Sequence, residues 1–279
     1  MKKLFLFPIS TLLVFGCRYK GIPTPEQNFN DYGAFLGRSD NNVSQFSDYK
    51  YVSLELDEFG DSNINRLINK GVNFLAYLNV GSIENYRDYY DDYESNTFKD
   101  YENWSDERWI DVSNVSWQNF IINNLAKGFK DRNVFGVYMD NVDVYSIAKE
   151  DDLDYVAFGQ GLKNIIKGVS DLGLKVMING GSEFLKDLNE QDDDIFSSIW
   201  GYHQEEVFSI ITDYEYNSFG EQNKEDKEYY QQISTMMKEK GKEIFYLEYT
   251  SDDGLKQYIR DYCEAMQYHY YIANDVDLK

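Results

Sequence analysis

From Tyr32 onward the chain alternates two hydrophobic patterns. One is a short apolar run bounded by polar residues, the pattern of a parallel strand covered on both faces. Such runs predict strands over Tyr51–Asp57, Asn73–Val80, Arg108–Val112, Asn133–Met139, Leu174–Asn179, Ile195–Tyr202, Glu243–Tyr249 and Tyr268–Asn274. The other pattern is an apolar residue every three to four positions. It predicts amphipathic helices over Ile64–Lys70, Trp117–Phe129, Asp154–Leu172, Lys227–Lys240 and Leu255–Met266. Gly71, Gly173 and Gly241 follow three of these helices, where a left-handed residue closes the last turn. Residues Asp88–Ser105 are acidic and tyrosine-rich without a period, and read as a long functional loop.

Eight strands alternating with helical segments imply a parallel sheet. The expected architecture is α/β, a single-domain (β/α)8 TIM barrel over residues 32–279. An open doubly wound sheet is the competing arrangement. No Gly-x-Gly-x-x-Gly or Walker loop follows the first predicted strand, which argues against nucleotide binding.

The N-terminus breaks the pattern. Met1-Lys2-Lys3 is positive, Leu4 to Phe15 is apolar, and Gly16-Cys17 follows. The run is too short for a transmembrane helix and has the layout of a signal peptide. With Cys17 directly after a small residue, residues 1–16 are expected to be a lipoprotein-type signal, Cys17 the lipidated residue and 17–31 a tether. A plain secretory signal is the alternative. The expected location is the surface of a bacterial membrane, periplasmic or on the cell exterior, with contact to the bilayer through the lipid only. Cys263 is the only other cysteine, so a lipidated Cys17 leaves no intramolecular disulfide. A buried, inert thiol is expected there.

The net charge of −22 argues strongly against nucleic acid as a partner, because that binding rests on Lys and Arg neutralising phosphates. It favours a cationic substrate through long-range steering, or serves solubility alone. Hydrophobic residues make up 42% of the chain, enough for a barrel-sized core. A monomer is expected.

Acidic residues recur where predicted strands end: Asp57, Asp111, Asp140, Glu205 and Glu248. In a barrel these ends converge on one face, and carboxylates brought together shift one another's pKa. One can then stay ionised while another holds a proton, the requirement of glycoside hydrolysis. Asp140 stands out, since the strand-like run Asn133–Met139 ends abruptly in Asp140-Asn141-Val142-Asp143. For each acid, capping the next helix is the competing role. His203 and His269 lack the spacing of a zinc pair, and no Gly-x-Ser-x-Gly elbow is present. Asp140 and Asp143 supply only part of a calcium ligand set. No metal and no cofactor are expected.

Taken together, Leu56-Asp57, Ala76–Ser82, Tyr86-Arg87, Trp109–Val112, Gly136–Asp143, Asn179–Gly181, Glu205–Phe208 and the ending Tyr271–Leu278 resemble glycoside hydrolase family 114. These are the endo-α-1,4-polygalactosaminidase-like TIM-barrel proteins. The resemblance implies that Asp140 and Glu205 are the catalytic pair, Asp140 as nucleophile and Glu205 as acid/base, with retention expected. Glu206 directly follows Glu205, so the register of the second acid is open by one residue. Asn79 and Glu248 stand where the family often has Ser and Asp, which bears on sugar specificity.

Around the pair, Asp57, Tyr77, Asp111, Tyr138, Asp143, Asn179, Glu248 and Tyr249 are expected to bind substrate, with Arg87 and Asn141 in support. A structural salt bridge is the other reading of Arg87. Trp104 and Trp109 stack on sugar faces or pack in the core. The implied activity is cleavage of an α-linked amino-sugar polysaccharide. The alternative is a non-catalytic surface lipoprotein with the same barrel that binds a glycan or a partner protein.

Overall fold

The computed structural model describes residues 30–102 and 104–279. The expected signal peptide, Cys17 and nearly all of the tether lie outside the described residues. Among the described residues no helix is long and apolar enough to cross a membrane.

Eight parallel strands form one sheet: β1 (Asn30–Phe35), β2 (Tyr49–Leu54), β3 (Asn73–Asn79), β4 (Gly136–Asp140), β5 (Lys175–Asn179), β6 (Gly201–Glu205), β7 (Glu243–Tyr249) and β8 (His269–Ala273). They neighbour one another in chain order, and side chains join the first to the last. Asp31 Oδ2 lies 2.6 Å from His269 Nδ1, and the Phe35 and Tyr271 rings are 5.1 Å apart. The ring is the expected (β/α)8 barrel, with helices packed outside it.

Two strand assignments change. Arg108–Val112 is not a barrel strand. Glu107–Ile110 pairs antiparallel with Ser82–Glu84 and with Thr97–Asp100, in a small sheet carried by the long β3–β4 connection. That connection also holds the short helix Tyr90–Tyr93, so the expected loop is structured. The missing place is filled by β1, which starts at Asn30 inside the expected tether. One strand lost and one gained leave β4 as the fourth. Ile195–Tyr202 also divides, into a 3-10 turn over Asp194–Ser198 and a strand that starts only at Gly201. This brings Glu205 to the last position of β6.

Alternation along each strand sorts two cores. Val137 and Met139 of β4 pack outward against the helices, while Tyr138 points into the barrel. The interior set includes Tyr32, Leu75, Met177, Phe245, Leu247 and Tyr249. At the N-terminal ends of the strands, Tyr51, Phe135, Trp200 and Phe245 meet with ring centroids 5.2–5.9 Å apart and plug the barrel floor. Gly136 interrupts the apolar run of β4 because a Cβ there would lie 2.3 Å from the carbonyl oxygen of Lys175 on β5.

The same alternation corrects Glu248. Phe245, Leu247 and Tyr249 face the interior, so Glu248 faces outward and is wholly buried behind the wall. Its carboxylate accepts from the backbone N–H groups of Val207, Phe208 and Ser209 and from Ser209 Oγ at 2.6–3.1 Å. It staples the β6 exit and does not line the cavity. Burial pushes its pKa up to about 7 against the pull of those donors. Glu248→Ala strands three buried N–H groups and is expected to cost at least ~3 kcal/mol in urea unfolding. Glu248→Gln, which keeps one acceptor oxygen, should cost less. Equal stability of the Ala variant and the parent would refute the staple.

Candidate active site

The C-terminal ends of β3 to β7 present Asn79, Asp140, Asn179, Glu205 and Tyr249. All but Asn79 line a cavity of about 1280 Å3. Asp140 and Glu205 come together at its base, joined by one amide. Asn179 Nδ2 donates to Asp140 Oδ1 at 2.8 Å and to Glu205 Oε1 at 2.9 Å. Those two oxygens are therefore no farther apart than the two bonds laid end to end.

Each acid has further partners. Asp140 Oδ1 also accepts from the backbone N–H of Asn141 at 2.9 Å, and the Tyr77 hydroxyl hydrogen-bonds the same carboxyl group. Glu205 Oε1 accepts from Tyr138 Oη at 3.0 Å and Oε2 from Tyr249 Oη at 2.7 Å. Burial raises the pKa of all three phenols, which keeps them as donors. Burial and the charge of Glu205 push Asp140 up to about 7, against the Asn179 and Asn141 donors.

Glu206 is turned away from this pair. Its backbone is left-handed (φ 58°), and its carboxylate accepts from the Ile211 N–H in the hairpin Ser209–Glu221. Of the two adjacent glutamates, Glu205 shares the Asn179 amide with Asp140, and Glu206 braces the hairpin.

The other expected residues divide. Asp143 lines the cavity, but its Oδ1 accepts from the Gly181 N–H at 3.0 Å and holds the left-handed Gly180-Gly181 turn. A Cβ on Gly180 would meet Asp143 Oδ2 at 2.2 Å. Burial raises the Asp143 pKa to about 6. Tyr138 is 1% exposed, touches Glu205 from beneath and is not in the cavity lining. Asp57 sits past the end of β2 on the cavity rim, 4.0 Å from Arg132, with its side chain largely exposed. Asp111 is not in the cavity lining. It closes a local turn through the Ser113 N–H and Oγ, because its strand belongs to the side sheet.

Arg87 does not reach Asp140 or Glu205. It holds Glu84 through Nε and Nη2 and Glu55 through Nη2 at 2.7–3.2 Å, the salt-bridge reading. Trp109 is buried beneath Tyr101, stacked at 4.5 Å, and so is unavailable to a sugar. Trp104 is exposed on the rim, edge-on to Tyr214 at 5.9 Å.

Glu107 and His203 escaped the sequence reading as site residues, whereas Asn141 was expected there. Glu107 is buried, its pKa raised by that burial, and its Oε1 collects Asn79, Ser82 and Asn141. Asn141 is left-handed (φ 59°) and also takes the Tyr101 hydroxyl on Oδ1. Gly81 permits this packing, since a Cβ there would lie 1.8 Å from the Asn141 carbonyl oxygen. His203 stands behind Asn179 with Nδ1 2.7 Å from Asn179 Oδ1. Glu55 and Glu84 complete the acidic wall. Twelve carboxylates and three cations line the cavity among the described residues. Alternation could have pointed to His203, two positions before Glu205. Nothing local marks Glu107.

Among the described residues no group of three or more His, Cys, Asp or Glu side chains is arranged to hold a metal ion. The family model described as Glycoside-hydrolase family GH114 matches residues 22–278. No curated protein sequence matches the chain. The structure is similar to the glycoside hydrolase domain of PelA from Pseudomonas aeruginosa, at TM-score 0.75 and 15% identity, covering 89% of this chain and 95% of that one. It is also similar to Aspergillus fumigatus Ega3 in complex with galactosamine, at TM-score 0.70 and 17% identity, covering 90% and 93%. At these identities the likenesses show the fold.

The Asp140 environment sets a pH dependence of stability. An acid raised by folding binds its proton more tightly when folded. Its contribution is therefore complete below the unfolded value of 3.8 and is lost as pH rises through about 7. Asp140→Asn removes this buried charge. Its stability relative to the parent is expected to be near zero at pH 4 and to grow to roughly 2–4 kcal/mol by pH 8. Thermal unfolding across that range checks it, and a pH-independent difference would contradict it.

Proposed function

The chain belongs to glycoside-hydrolase family GH114, and from that premise we propose that it cleaves an α-linked amino-sugar polysaccharide of the α-1,4-polygalactosamine kind. Asp140 is the nucleophile and Glu205 the acid/base in this reading. The observation that carries it is the pair at the cavity base, bridged by Asn179.

In the first step Asp140 attacks the anomeric carbon while Glu205 gives its proton to the departing glycosidic oxygen. The C–O bond to the leaving sugar breaks and an ester to Asp140 forms. In the second step Glu205 takes a proton from water, whose oxygen displaces Asp140. The bridge supports retention. It keeps the nearest oxygens within ~6 Å, whereas inverting enzymes separate the two groups by roughly 6.5–9.5 Å to admit a water. The acidic lining supports a cationic, at least partly deacetylated chain, whose ammonium groups the field would draw in.

A reversed assignment has one observation in its favour. Three donors converge on Glu205, which suits an attacking carboxylate, while Asp140 is pushed up toward an acid's range. Azide separates the two. If Asp140 is the nucleophile, azide rescues Asp140→Gly to a β-glycosyl azide and Glu205→Gly to an α-glycosyl azide. The anomeric proton coupling in NMR reads the outcome, and the opposite pairing would reverse the roles.

The sequence around Cys17 supports the further proposal that lipid holds the enzyme at a bacterial membrane surface. Globomycin-sensitive processing and loss of membrane association in Cys17→Ser would be expected. An unchanged distribution would remove it.

Activity is tested on galactosaminan of graded acetylation. Oligosaccharides are expected from the parent, with kcat/KM reduced at least ~1,000-fold in Asp140→Ala and Glu205→Gln, while Glu206→Gln stays within ~10-fold. Full N-acetylation or 0.5 M salt should each lower kcat/KM, through loss or screening of the ammonium attraction. Binding without product from the parent would favour a non-catalytic glycan-binding barrel.

A further inference from the structure

An asparagine amide can sit in its site two ways. With NH2 toward Asp140 and Glu205, it donates one proton to each. Turned over, it aims a carbonyl oxygen at two carboxyl groups and repels both. The carboxyl groups alone favour the first orientation, but they cannot hold the amide still while their own protonation changes during a reaction.

His203 sits behind that amide. It is wholly buried, on the β6 position in register with Asn179 of β5. Nδ1 lies 2.7 Å from Asn179 Oδ1 and 3.3 Å from Tyr138 Oη. Nε2 is buried with no partner among the described residues. The ring is wedged edge-on between Tyr32 at 5.6 Å and Tyr138 at 4.8 Å, so it cannot swing away. A neutral imidazole here has its proton on Nδ1, where an acceptor waits, and its lone pair on Nε2, where nothing donates.

We propose that His203 is the positioning residue of the site: the Nδ1–H donates to Asn179 Oδ1 and locks the amide with its NH2 toward Asp140 and Glu205. The inference deepens the glycosidase reading and rests on the same carboxyl pair. Its consequence is electrostatic. A held donor stabilises the ionised form of each acid through both steps, and a freed one does not. Burial keeps the imidazole neutral, with its pKa pushed down to about 3, so His203 neither supplies nor takes the catalytic proton.

The test compares His203→Asn with His203→Leu. The two side chains leave the same space, but only Asn presents an N–H where Nδ1 stood. His203→Phe, which refills the ring, stands in if the Leu variant fails to fold. Carboxyl 13C NMR on the ligand-free full-length protein follows the titration of Asp140. In His203→Leu its pKa is expected to rise by about one unit, a tenfold change in proton affinity, while His203→Asn stays within about 0.3 unit of the parent. On deacetylated galactosaminan the Leu variant should lose at least ~10-fold in kcat with KM within about twofold, and its acidic pH limb should move up by the same unit. Identical Asp140 titrations in the Leu and Asn variants would overturn the proposal. If the parent itself cleaves no polymer, the functional reading falls, and the ligand-free titration still decides the role of His203.

Discussion

One amide nitrogen, Asn179 Nδ2, links the acids of two different strands, and the rest of the site is arranged to make that link possible. β4, β5 and β6 must be neighbours in that order, ending at the same height, for Asp140, Asn179 and Glu205 to meet. The parallel barrel supplies this, because every strand delivers its last inward residue to one rim. Behind the rim the interior is unusually aromatic, and Tyr77, Tyr138 and Tyr249 stand under the acids with protonated hydroxyls. Core packing and site electrostatics are done by the same side chains.

The molecule manages buried carboxylates in three distinct ways. Glu248 is wholly enclosed and satisfied by backbone N–H groups, so it serves the chain path. Glu55 and Glu84 share the guanidinium of Arg87, which stabilises their charge in the wall. Among the described residues no cation pairs with Asp140, which has only a few donors and shares its surroundings with Glu205. Its ionised form is therefore held at a cost in stability, as expected where reactivity is stored. The difference lies in partners, since each of these acids is removed from bulk solvent.

The β3–β4 connection carries most of what is particular to this chain. Its small sheet brings Glu107 under the rim, and its Tyr101 and Trp104 help to line the cavity. Glu107 binds Asn79, Ser82 and Asn141 into one cluster, which fixes the turn directly after Asp140. Gly81 is the steric condition for that turn, because any side chain there would collide with Asn141. A loop without periodicity thus shapes the site as much as the strands do.

The alternation of apolar runs with helical spacing determined the architecture and put Asp140 at a strand end, since burial on both faces leaves a local mark in composition. Strand parity also separates Glu248 from Tyr249, because a regular strand cannot point two adjacent residues at one cavity. Tertiary structure alone decided that Asn30–Phe35 fills a barrel position while Arg108–Val112 pairs in a side sheet, because both runs are short and their partners lie far along the chain. It alone turned Arg87 to Glu55 and Glu84, closed Asp111 on Ser113, and set His203 behind Asn179. Arg87–Glu55 and His203–Asn179 join segments tens of residues apart, and Asp111 makes its local turn because its strand pairs in the side sheet. A sequence records which groups can donate, accept or pack, whereas the closing of the barrel selects which of them meet.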